Sequence, residues 1–183
     1  MKKYSIIYAD PPWRYESGTT TPSRDIEHHY PTMTLEDICG LGSMVSSISD
    51  KNCVLFLWST SPKLAEAVRV VEAWGFNYRT NLAWVKTGSL GLGNYARINH
   101  ELLLVAIRGN PGCPEPKSRP HSVIEIRKGR HSEKPARFYD TIEAMYPNAI
   151  RIELFARQRR EGWAAWGNEV SSANGGDNER KPF

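Results

Sequence analysis

The chain has 183 residues, of which 40% are apolar and 10% aromatic, and carries a net charge of +4. That length predicts one domain, with a core that hides roughly 70% of the unfolded surface. No apolar run approaches the roughly 18 residues of a membrane span, and the lysine-flanked start lacks a signal peptide's apolar stretch. Cys39, Cys53 and Cys113 stand far apart with no paired spacing, which argues against a zinc site or disulfide framework and for reduced thiols in the cytoplasm.

In chain order, residues 5–9 form a short apolar run stopped by two prolines, a buried strand. Residues 14–29 are polar and read as a loop. Thr34 with Asp37 has the form of a capping box and starts a helix to about residue 47. Residues 52–58 are a second buried strand. Residues 62–74 form an amphipathic helix with Leu64, Val68 and Val71 on its core face, ended by Gly75. A strand over 77–86, a glycine-rich loop over 87–99 and a third apolar strand over 101–107 follow. After a proline-rich loop come a strand over 123–128 and a helix opened by Pro135, with Phe138, Ile142 and Met145 inward. Strands over 150–155 and 163–166 close the domain, which ends near residue 170; residues 171–183 are polar and unperiodic, a disordered tail. Strands apolar throughout and alternating with amphipathic helices indicate an α/β fold, a mostly parallel central sheet flanked by helices. Ligands of such sheets bind beyond the carboxyl ends of the strands.

The chemistry concentrates at one strand end. In Asp10-Pro11-Pro12-Trp13, Asp10 and Pro11 each precede a proline and are pushed toward extended backbone. The prolines offer carbonyls but no N–H. A carboxylate, two bare acceptors and a large ring make a stiff corner suited to a flat molecule bearing an amine, such as a nucleobase. Charge is uneven as well. Residues 108–134 hold seven Lys or Arg against three Glu, and Arg157, Arg159 and Arg160 form a second cluster. Localised positive charge of this kind suits a phosphate-bearing partner.

The corner, together with Leu55-Phe56-Leu57-Trp58, Trp84-Val85-Lys86-Thr87, Asn99-His100-Glu101, Ser132-Glu133-Lys134-Pro135, Glu153-Leu154-Phe155-Ala156-Arg157 and Trp166-Gly167-Asn168-Glu169, resembles the MT-A (METTL) family of adenine-N6 methyltransferases over residues 4–170. The resemblance implies a Rossmann-like class I methyltransferase fold with the motif order permuted, so that the catalytic corner is N-terminal. It implies S-adenosylmethionine as methyl donor, and Asp10 and the Pro11 carbonyl as acceptors for the N6 amine within Asp10, Pro11, Pro12 and Trp13. Tyr30 joins Trp13 in walling the base, with Trp58, Ser59, Asn99 and Glu101 on the substrate side. Ser132, Lys134, Arg157, Asn168 and Glu169, with Asp10, fall on the cofactor side, Lys134 toward the methionine carboxylate. Arg14, Lys86, Lys117, Arg119, Arg127, Lys128 and Arg130 are the expected nucleic-acid contacts. Small size without accessory domains resembles compact bacterial or phage members. DNA is then the expected substrate; RNA and a non-catalytic nucleic-acid-binding subunit are the alternatives. A homodimer or a partner subunit is compatible with this pattern, and no membrane association is expected.

Overall fold

The computed structural model describes residues 2–15, 32–88, 90–91, 93–129 and 133–167. The expectations at Tyr30, Arg130, Ser132, Asn168 and Glu169, and for the tail, lie outside the described residues. Among the described residues, seven strands form one sheet: β1 (Tyr4–Ala9), β2 (Ser49–Thr60), β3 (Asn77–Thr87), β4 (His100–Arg108), β5 (Val123–Arg127), β6 (Arg151–Leu154) and β7 (Trp163–Trp166). Their order is β5-β3-β4-β2-β1-β6-β7. Four pairings are parallel; the two that involve β4 are antiparallel. The sheet is therefore mostly parallel, as the apolar runs predict, with one strand reversed.

Helices cover both faces. α1 (Leu35–Gly40), α2 (Gly42–Ile48) and α3 (Leu64–Ala73) lie on one, and α4 (Arg137–Met145) on the other. Side chains alternate along each strand. Thus Ile7, Leu55 and Leu104 pack with Ile38, Val45, Val70 and Val71, while Tyr8, Phe56, Trp58, Leu103 and Trp84 pack with Phe138 and Ile142. The capping box forms as expected: Thr34 Oγ1 accepts from the Asp37 N–H at 3.1 Å, and the Asp37 carboxylate accepts from the Thr34 N–H at 3.3 Å.

Two sequence expectations need correction. The helix from Thr34 is interrupted at Leu41, giving α1 and α2, because α2 must meet the end of α3. A Cβ on Gly42 would stand 2.6 Å from the Ala73 carbonyl oxygen, so the approach depends on glycine. In α3 the inward face is Ala67, Val70 and Val71, and Leu64 is 39% exposed. Leu64 is the first residue of α3, a turn ahead of Ala67, and stands at the end of that face where the core cover stops.

The reversed strand has the larger consequence. Cys53 pairs with Arg108 at the amino edge of the sheet, and Thr60 pairs with Glu101 at the carboxyl edge. The start of β4 therefore joins the ends of β1, β2, β3 and β5 on one rim. The loop that follows β4 leaves from the opposite edge, where the Asn110 N–H donates to Asn52 Oδ1 at 2.8 Å.

Gly42→Ala should lower stability to urea by about 1–3 kcal/mol without altering the sheet, because a methyl forced against backbone has to push α2 from α3. Equal midpoints for the two proteins would show that the contact is slack.

Candidate active site

Strand order reverses at β1: the chain goes to β2 on one side and returns to β6 on the other. Such a switch point opens a crevice beyond the carboxyl end of the central strand. Asp10 is the residue that follows β1, and it stands at that crevice.

Pro11 and Pro12 hold the corner as their chemistry requires, and both carbonyls are used. The Trp13 N–H donates to the Pro11 carbonyl at 2.9 Å and the Met33 N–H to the Pro12 carbonyl at 2.8 Å. Trp13 and Met33 form an isolated parallel bridge that ties the corner to the start of α1. The Pro11 oxygen keeps a second lone pair for another donor. Trp13 itself is 7% exposed, and its indole N–H donates to the Trp58 carbonyl at 3.2 Å. Its ring packs in the core cluster beneath α1 and α3.

Lys134 reaches this corner from the segment before α4. Its Nζ lies 2.6 Å from Asp10 Oδ2 and 3.4 Å from Glu101 Oε2, and Glu101 in turn holds Lys86 at 2.5 Å. Four charges thus alternate along the rim: Asp10, Lys134, Glu101, Lys86. Burial works against the Lys134 cation, yet Asp10 and Glu101 outweigh it and raise its pKa. Burial likewise opposes the Glu101 anion, and Lys134 and Lys86 lower its pKa overall. Each charge is held by its neighbours. The two ammonium groups also lie over indole rings, Lys134 5.4 Å from Trp58 and Lys86 4.9 Å from Trp84. Trp58 is 1% exposed and donates its indole N–H to Tyr8 Oη at 2.6 Å. It supports the cation from below. Lys134 precedes the Ala136 N-cap of α4, so it stands outside the helix's first turn.

A cavity of about 460 Å³ opens on the rim over β2, β4, β3 and β5, lined by Tyr15, Thr60, Pro62, Lys86, Leu90, Gly91, Ile98, His100, Glu101 and Lys128. Glu101 belongs both to this wall and to the charge chain, and so links the cavity to Asp10. Ser59 is buried, with its hydroxyl donating to the Thr60 carbonyl at 2.9 Å, which leaves Thr60 as the lining residue. Asn99 stays outside the lining; its carbonyl accepts from the Lys86 N–H at 2.7 Å and anchors the loop. His100 shares a 2.9 Å hydrogen bond with Ser61.

The basic residues divide. Arg14 is exposed next to the corner, Arg127 and Lys128 lie at the end of β5, and Lys86 and Lys128 line the cavity. Lys117 and Arg119 are in the loop that starts at the opposite edge, a placement that follows from the reversal of β4. Arg160 clamps the loop before β7 to α4, 2.7 Å from Asp140 and 2.9 Å from Glu143.

On the other side of Asp10 are the ends of β6 and β7. Phe155 has φ +61, a left-handed conformation that costs a non-glycine residue of order 1 kcal/mol and collects at functional sites. The turn is closed by the Ala156 N–H donating to the Trp166 carbonyl at 3.0 Å and by Gly167, where a Cβ would stand 2.4 Å from the Ala156 oxygen. Arg157 is exposed on this rim.

Glu153, to which the sequence reading gives no separate role, is the acid of this half. It is 7% exposed in β6 and accepts the Tyr139 hydroxyl at 2.8 Å. Burial raises its pKa to about 7; the negative charge of Asp10 adds to this, and the Tyr139 hydrogen bond opposes it. The available signal was a glutamate in the short, otherwise inward-facing run Ile152-Glu153-Leu154.

An α/β sheet with a carboxylate-proline corner at its switch point and an ion-paired cavity beside it is the architecture of a Rossmann-like methyltransferase. The family model MT-A70 matches residues 4–169, and the chain belongs to that family of adenine-N6 methyltransferases. The type II methyltransferase M.MunI from a Mycoplasma species is 36% identical over 186 residues, covering 92% of this chain and 78% of that protein. The human N(6)-adenosine-methyltransferase catalytic subunit METTL3 is 29% identical, covering 93% of this chain and 29% of its own length. An Arabidopsis thaliana MT-A70-like N(6)-adenosine-methyltransferase is also 29% identical, over 92% of this chain and 24% of its own. The chain thus spans most of the Mycoplasma protein and about a quarter of the plant and animal ones. Among the described residues no helix is long and apolar enough to cross a membrane.

The raised pKa of Glu153 fixes a sign. Between pH 4.5 and about 7 the folded protein retains a proton that the unfolded chain releases, so this group makes stability fall as pH rises through that window. Glu153→Gln should remove that slope and gain up to roughly 3 kcal/mol over the parent at pH 8. Urea denaturation of both proteins from pH 4.5 to 8 measures the difference; parallel curves would contradict the assignment.

Proposed function

We propose that the protein transfers a methyl group from S-adenosylmethionine to the N6 amine of adenine in DNA. The observation that carries this reading is the Asp10 carboxylate, fixed by Lys134 at the switch point between a cavity on one side and the strained ends of β6 and β7 on the other.

The N6 lone pair is delocalised into the purine ring and is a poor nucleophile. Lys134 occupies Asp10 Oδ2, so Oδ1 and the remaining lone pair of the Pro11 carbonyl are the acceptors assigned to the two amine hydrogens. Accepting both would hold the nitrogen in one place and favour a pyramidal geometry, with its lone pair aimed at the donor. Positioning of this kind contributes up to about 7–11 kcal/mol in favourable cases. The positive charge that develops on nitrogen is stabilised by the same carboxylate, and the proton that the methylated amine must lose passes to Asp10 Oδ1 and from there to solvent. The proline ring at position 12 keeps the corner free of a competing donor.

The donor supplies an electrophilic methyl on a sulfonium and leaves as a neutral thioether. The chemistry of the groups around the β6 and β7 ends fits a zwitterion with a cationic centre: the Lys134 ammonium and Arg157 guanidinium for its carboxylate and hydroxyls, and the Asp10 and Glu153 carboxyls for its positive groups. Ser132, Asn168 and Glu169 are assigned to the same molecule by the family pattern. Adenine must leave a stack to reach Asp10, and a flipped or unpaired base is therefore the substrate form. Arg14, Lys86, Arg127 and Lys128 are the phosphate contacts in this reading. DNA is preferred over RNA because the type II methyltransferase matches this chain over most of both lengths.

Labelled methyl should pass from S-adenosylmethionine to adenine in DNA oligonucleotides, at least tenfold faster than in matched RNA. Asp10→Ala should abolish transfer with the thermal melt retained, and Lys117→Glu with Arg119→Glu should leave the rate within about twofold. Survival of transfer in Asp10→Ala, or faster transfer to RNA, would overturn the corresponding part of the reading.

A further inference from the structure

Trp13 and Trp58, two of the rings expected on the substrate side, pack in the core, and Tyr30 lies outside the described residues. Among the described residues, Tyr15 brings a six-membered ring to the cavity wall. The segment after the corner is extended where Trp13 bridges Met33, so residues two apart fall on the same face. Trp13 and Tyr15 both pack against the core cluster beneath α1 and α3, Trp13 deeply and Tyr15 partly, at the rim where the cavity begins.

The Tyr15 ring is held before any ligand arrives. Its hydroxyl is 2.6 Å from Thr60 Oγ1, and Lys63 Nζ lies 5.2 Å from the ring centroid. Lys63 is itself fixed by Glu66 at 2.7 Å. Lys63 and the core cluster hold the ring, and the part of it that lines the cavity is what it offers to a second flat group. Burial raises the phenol pKa, the Thr60 hydrogen bond opposes this, and Glu101, Lys134 and Asp10 act on it as well, which places the ring within electrostatic reach of the charge chain. The phenol therefore stays neutral at physiological pH and keeps its hydrogen bond. A rigid aromatic side chain orders a ligand at little entropic cost.

We propose that Tyr15 is the platform on which the target adenine stacks, with the base lying between this ring and the aliphatic wall of Leu90 and Ile98 while its amine reaches Asp10. The cavity, about 460 Å³, falls within the range of roughly 300–1,000 Å³ typical of small-molecule sites. This inference rests on the adenine reading of the same site, and it makes Tyr15 a substrate-binding residue, with Thr60 and Lys63 positioning it.

The test uses a DNA 12-mer with a single unpaired adenine and the same 12-mer with an abasic site at that position. Tyr15→Ala should weaken binding to the adenine 12-mer by about 5- to 100-fold, the span of a lost base–aromatic stack, and leave binding to the abasic 12-mer unchanged. Tyr15→Phe, which keeps the ring and loses the hydroxyl, should bind both within about threefold of the parent. In transfer assays the KM for the 12-mer should rise in Tyr15→Ala while that for S-adenosylmethionine stays constant. Equal binding by parent and Tyr15→Ala would overturn the proposal, and so would an equal loss on both 12-mers, which would indicate a backbone contact. Failure of the parent to transfer methyl, with the adenine-dependent difference intact, would remove the catalytic reading and leave Tyr15 as a base-stacking residue.

Discussion

Lys134 is shared by two carboxylates, Asp10 and Glu101, that stand 91 residues apart in the chain, and the placement of everything else on the rim follows from that arrangement. A buried ammonium is tolerable only where opposite charges compensate for its lost hydration. Here they do so on both sides, and Lys86 extends the alternation to a fourth member. Removing Lys134 would leave Asp10 without its cation, and removing Glu101 would leave Lys86 without its carboxylate, each a broken pair of the kind that costs about 3–5 kcal/mol where it is buried. The same arrangement orients Asp10, because an oxygen bound to a fixed cation cannot rotate freely.

Three separate features of the fold bring these charges together. Asp10 comes from the end of the strand at which the sheet order reverses, Glu101 from the start of the one strand that runs backwards, and Lys134 from the segment leading into α4. Were β4 parallel to its neighbours, Glu101 would sit at the other edge and Lys134 would have a single partner. The rim is thereby divided. A cavity with Glu101 in its wall lies over β2, β4, β3 and β5, the strained Phe155 turn lies over β6 and β7, and Asp10 stands between them. A group-transfer enzyme needs such a division, since donor and acceptor must approach one point from two sides.

Much of this was legible in the sequence. The strands could be read because strands buried on both faces are apolar throughout, and the corner because two prolines leave few conformations for Asp10 and Pro11. Direction could not be read. An apolar run such as Leu102-Leu103-Leu104-Val105 looks the same in either sense, so the reversal of β4, and with it the displacement of Lys117 and Arg119, became visible only when the strands were paired. The burial of the aromatic residues was hidden for a related reason. The size and stacking capacity of Trp13 said nothing of which way its side chain would turn, and Tyr15, two positions on, reaches the cavity instead. Glu153 sat within a quoted motif without a role because its burial, and hence its raised pKa, depends on the packing of Tyr139 from α4.

The claim that Lys134 and its carboxylates act as one electrostatic unit is tested most directly by a double-mutant cycle in urea at pH 7, with Lys134→Met, Glu101→Gln and the double variant. The account predicts a coupling of about 1–3 kcal/mol, the double variant losing less than the two single losses together. Losses that add to within about 0.5 kcal/mol would mean that the two residues do not depend on each other, and would contradict it.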